Sequence, residues 1–116
     1  MATPILVNGY TGVSATALPI RNQDCKVMGY HIFNSSNATA FVQFYKGQAN
    51  APSGPTVGTT VSDWAVPVLT LTHAFLPVTA ASDGLYFPGA LWIAATTTIS
   101  GSTAPSAALV VSLAIA

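Results

Sequence analysis

Ionised side chains are scarce: 116 residues hold three Lys or Arg and three Asp, with no glutamate. Charged residues make up 5% of the chain, whereas an ordinary soluble domain has about a quarter. Three basic residues cannot neutralise a phosphate backbone, which excludes a nucleic-acid partner. A formal net charge of zero also removes the repulsion that keeps proteins apart, so the composition points to a chain packed against neighbours. Cysteine is nearly absent too. The lone Cys25 forms no internal disulfide, in keeping with a reducing compartment. No apolar run reaches the roughly 18 to 20 residues of a membrane-spanning helix. The nearest, Ala107 to Ala116, is about half that length, so no membrane partner is expected. The first residues, MATPILVNGY, lack the basic start and long apolar stretch of a secretory signal, and synthesis in a cytoplasm is the expectation. Two distant histidines and three scattered aspartates match no zinc spacing or calcium loop, and phosphate-cradling glycine motifs are missing; no metal or cofactor is expected.

What the chain does have is apolar bulk, 51% of its residues. That is enough for one core, and residues 1–116 read as one domain. Disorder is disfavoured because disordered chains are depleted in aromatic and aliphatic residues. The frame is KVMGYHIFNSSNATAFVQFYK, Lys26 to Lys46, which reads as strand, turn and strand. Alternation puts Val27, Gly29, His31 and Phe33 on one face and Met28, Tyr30 and Ile32 on the other; Phe41, Gln43 and Tyr45 oppose Val42 and Phe44. Both faces carry apolar groups, which predicts central strands covered on both sides. Asn8-Gly9 predicts a two-residue hairpin turn, and Pro19 an edge position or strand end. Val66 to Thr72 alternates as a strand, Gly84 and Pro88-Gly89 read as bends, and ALVVSLAI reads as a buried final strand. About eight short strands without helical periodicity predict an all-β fold, an antiparallel β-sandwich of jelly-roll-like form.

The inventory for chemistry is His31, His73, Cys25, Asp24, Asp63 and Asp83. No spacing among them places a nucleophile beside a base, so no enzyme is expected and no catalytic residue is assigned. Asn34-Ser35-Ser36 and Asn37-Ala38-Thr39 fit the glycosylation pattern but read as turn chemistry. The long Pro/Gly-rich loop 48–63 is the candidate interaction arm, ordering on contact with a partner. Its candidate partner contacts are Pro55, Thr56, Val57, Asp63 and Trp64. Of the two tryptophans, Trp92 reads as core, and Trp64 as the better binding residue, able to stack on a sugar or pack against another subunit.

The order KVMGYHIFNSSNATAFVQFYK, PTVGTT, VPVLTLT, GLYFPGALWIAATTT resembles a family of small virion proteins of tailed bacteriophages. The matching positions are Gly29, Tyr30, Asn34, Val42, Phe44, Tyr45, Pro55, Gly58, Thr59, Gly84, Phe87, Gly89 or Ala90, Leu91, Thr96 and Thr97, spread from Lys26 to Thr98. The resemblance implies a β-sandwich capsid cement or decoration protein. Such a protein sits on the surface of the major capsid protein lattice, commonly as a homotrimer, and has no active site. A tail-fibre or receptor-binding module with glycan-binding loops is the alternative expectation.

Overall fold

The computed structural model describes residues 5–47, 54–77 and 84–116. Among the described residues nine strands follow in chain order: β1 (Leu6–Val13), β2 (Leu18–Arg21), β3 (Cys25–Phe33), β4 (Ala40–Lys46), β5 (Trp64–Val68), β6 (His73–Leu76), β7 (Leu85–Phe87), β8 (Leu91–Thr96) and β9 (Leu109–Ile115). They form two antiparallel sheets. One places β1, β9, β3 and β6 side by side with β7 also on β3; the other has the order β2, β8, β4, β5. The pairings are nested: β1 with β9, β2 with β8, β3 with β6 and β7, and β4 with β5. The chain is therefore one long hairpin, rolled so that β3 also meets β9 and β4 meets β8. This is the jelly-roll form of a β-sandwich, with one strand more than the sequence suggests because β6 and β7 share the flank of β3.

Between the sheets lies one core. Val27 and Ile32 of β3 and Leu109, Val111, Leu113 and Ile115 of β9 meet Val42, Phe44, Leu91 and Ile93 of the second sheet. Each such side chain contributes about 1.5–3 kcal/mol relative to exposure. The apolar run of β9 suits its place between β1 and β3. Pro19 lies on the edge strand β2, where its missing N–H costs no ladder bond on the open side. Gly84 and Gly89 make the bends around β7 with φ of 72° and 84°.

Four expectations need correction. The strands of the Lys26–Lys46 segment exist, yet they do not pair with each other: β3 and β4 lie in opposite sheets. Residues 34–39 carry the chain across the sandwich, and Asn34 pins that corner. Its side chain is fully buried, donating to Ala38 O (2.9 Å) and Val68 O (2.8 Å) and accepting from Ser36 N (2.9 Å) and Ser36 Oγ (2.6 Å). Its backbone also receives Leu71 N and donates to Thr72 O. Secondly, a bulge between Val27 and Gly29 breaks the alternation of β3, so Val27 joins Tyr30 and Ile32 on the core side. Of the two strands only β4 is covered on both faces; His31 on the outer side of β3 is exposed.

Thirdly, Asn8-Gly9 lies within β1, paired opposite Leu113 and Ser112, because the ladder to β9 outweighs the local turn preference. Finally, the alternation of Val66 to Thr72 stops at Val68. Residues 69–72 turn back under the Asn34 corner, with Thr72 N bonded to Leu69 O (3.3 Å) and Leu71 held at φ 55°. A left-handed leucine is costly and persists because Asn34 O fixes its N–H.

Cys25 opens β3 opposite Phe87 and is buried. Burial pushes its thiol pKa up; nearby Arg21 pulls it back and Asp24 pushes it up again. A thiol probe at about pH 8 is expected to modify the folded protein far more slowly than the denatured chain, since the thiolate is the reactive form. Equal rates in both states would contradict the buried placement.

Candidate binding surfaces

The sandwich has two outer faces, and the sequence dresses them differently. On the four-stranded sheet the outward positions are large or polar: Gln43 and Tyr45 on β4, Trp92 and Thr96 on β8. They are not left open. Tyr45 Oη donates to Gln43 Oε1 (2.8 Å), Gln43 Nε2 to Thr96 Oγ1 (2.6 Å), and Thr96 Oγ1 to Thr98 O (2.7 Å). Gln43, Tyr45 and Thr96 are buried, so this polar string pins the 97–103 loop over the sheet. Gln43 could have signalled it, being an amide set among large apolar neighbours in a strand.

The described part of the interaction arm, 54–63, lies on the same face. Gly54, at φ 67°, rests against the Trp92 ring so closely that a Cβ would sit 2.6 Å from it. Gly58, at φ 91°, abuts Ser102 in the same manner. Around Gly58 a turn is closed by Thr60 N to Thr56 O (2.8 Å) and Thr56 N to Thr60 Oγ1 (3.0 Å). Asp63 closes the neck, accepting from Lys46 N (2.9 Å) with Lys46 Nζ at 3.6 Å from its other oxygen. From 54 onward the arm thus lies against its own sheet. Residues 48–53, and Asp83, lie outside the described residues.

The two tryptophans lie on opposite sides of the second sheet. Trp64 begins β5 and turns inward, half-buried, with its ring 4.9 Å from Phe44 and edge-on to Tyr30 at 5.7 Å. Trp92 points away from the inter-sheet core and is covered by the arm. Among the candidate contacts, Pro55 is buried, Val57 half-buried and Thr56 exposed, while Asp63 is engaged with Lys46.

The other outer face is open. Where β1, β9, β3 and β6 run side by side, the outward positions are Val7 and Gly9, then Val110, Ser112 and Ala114, then Gly29, His31 and Phe33, then His73 and Phe75. None of these is Asp, Glu, Lys or Arg. His31 Nε2 and His73 Nδ1 share a hydrogen bond of 2.8 Å, with Phe75 edge-on to His31 and Phe33 leaning on His73. Phe75 is 67% exposed and Val7 70%. The small residues Gly29 and Ala114 leave a groove of about 330 Å³ between Val7 on one side and Phe75 and Leu76 on the other. Sequence alternation placed His31 and Phe33 together, but their neighbours on β6 and β9 follow only from the fold.

Chemically, this face can hold an apolar segment and offer imidazole hydrogen bonds at its rim. Cys25 is buried, and among the described residues no group of three or more His, Cys, Asp or Glu gathers as metal ligands. No described helix is long and apolar enough to cross a membrane. Compared with known protein families, curated proteins and solved structures, the chain finds no match.

Proposed function

We propose that this chain is a non-enzymatic structural protein of a tailed-bacteriophage virion. It acts as a cement or decoration protein, packing on the major capsid protein lattice and on copies of itself at the capsid surface after synthesis in the host bacterial cytoplasm. The carrying observation is the stretch of outer face where β1, β9, β3 and β6 run side by side, free of Asp, Glu, Lys and Arg, with Phe75, Val7 and the paired histidines exposed on it and Lys26 set apart at the β7 end. Such a face suits burial against protein better than contact with water. The resemblance over Lys26 to Thr98 supports the same reading. The jelly roll, an architecture that recurs in viral shells, supports it by analogy alone.

The test is stoichiometry on the particle. Purified heads are expected to carry this chain in a fixed ratio to the major capsid protein, and isolated protein to sediment with heads that lack it. Its presence on tails alone would overturn the proposal. A receptor-binding module using Trp64 has less support, because that ring is committed to Phe44 and Tyr30.

A further inference from the structure

A β-sandwich has open strand edges, and natural sequences blunt them with proline, charge or brevity. Here β2 has four residues with Pro19 and Arg21, β5 has five with Pro67, β6 has four and is followed by Pro77, and β7 has three and is followed by Pro88. β1 has none of these protections. Its eight residues, LVNGYTGV, contain no charge and no proline, and on the side away from β9 no described strand pairs with it. Leu6 and Val7 project from it largely exposed.

We infer that β1 is a homodimer edge, pairing antiparallel with β1 of a second copy about a two-fold axis at Asn8. The occupant follows from the edge itself. A two-fold axis normal to the sheet sets residues of the same face opposite each other, so it must pass through a residue and not between two. The regular register of β1 runs from Leu6 to Tyr10 before the irregularity that precedes Val13, and its midpoint is Asn8. Centred there, Leu6 meets Tyr10 on the core side, and Val7 lies over Gly9 on the outer side. Gly9 leaves that space free: a Cβ there would meet only Ser112 Oγ, at 3.7 Å. Asn8 faces Asn8. The edge carries no charge to repel its own copy, and the two uncharged grooves come to lie on the same side of one continuous sheet.

This inference does not need a capsid; it shares with the proposed function only self-association, and it predicts a dimer where the family resemblance implies a trimer. The experiment is mass by light scattering across a concentration series, with thermal melts as a folding control. The wild type is expected to rise from 11.8 kDa to twice that mass. Asn8→Lys and Asn8→Asp, each placing like charges opposite one another, are each expected to weaken dimerisation by at least about tenfold. Asn8 is exposed, so both variants should melt close to the wild type. Mixing the two should restore the dimer as a mixed pair. A wild type that stays monomeric or forms trimers, single variants that dimerise normally, or a mixture that fails to recover would each overturn the assignment. Binding to heads is measured separately: an Asn8 variant that still decorates heads leaves the capsid reading intact, and a dimer that ignores heads sinks only that reading.

Discussion

Replacing Asn34 with alanine is expected to lower stability by about 3–4 kcal/mol, a large share of the roughly 5–15 kcal/mol that holds a domain together. The side chain makes four hydrogen bonds while fully buried, and its loss strands Ser36 N and Val68 O away from water. The left-handed Leu71 and the short Thr70 Oγ1 to Ser36 O contact hang on the same corner, so the loss should spread to the 69–72 turn. Urea unfolding reads the change directly; a shift below about 1 kcal/mol would show that Asn34 is not the pin. The aspartate variant separates charge from shape. It keeps two acceptors but aims a carboxylate at the carbonyls of Ala38 and Val68. Burial and these dipoles raise the folded-state pKa above the unfolded value, so the folded form binds more protons and the deficit should shrink as pH falls through the carboxylate range. The same burial means that the Asn34 amide cannot carry a glycan in the folded state.

Phe75→Asp is expected to reduce binding to heads by about 30-fold or more, the loss of an aromatic anchor worth roughly 2 kcal/mol, with the desolvation of a new charge added. The fold should barely respond, since the ring is two-thirds exposed. Co-sedimentation with heads measures the effect. Val61→Asp is the matched control on the arm, where the side chain is 86% exposed. If Val61→Asp abolishes binding and Phe75→Asp leaves it unchanged, the contact lies at the arm and not at the groove.

Much of the strand content was legible because alternation and bends are local. Gly84 and Gly89 marked the ends of β7, and the apolar run of β9 marked its central place. Pairing was not legible. Alternation fixes which side chains share a face but not which strand lies alongside, so β3 and β4 read as hairpin partners although Asn34 sends them to opposite sheets. Asn8-Gly9 misled for a related reason, its turn preference yielding to a distant ladder. The inward turn of Trp64 and the outward turn of Trp92 were not legible, because a ring's surroundings depend on the sheet beneath it and the loop above it. The open groove draws on four strands that are neighbours only after folding, and no stretch of sequence announces it.

The nested pairing has a consequence for how the protein is made. The strand between β1 and β3 is β9, the last of the nine to leave the ribosome. Until it emerges, β1 has no ladder and β3 has only short partners on one flank, so one flank of β3 and the whole of β1 stay unpaired until the end of synthesis. Closure of that sheet therefore waits for the C-terminal strand, and truncation just before β9 should yield an insoluble product in place of a smaller folded one.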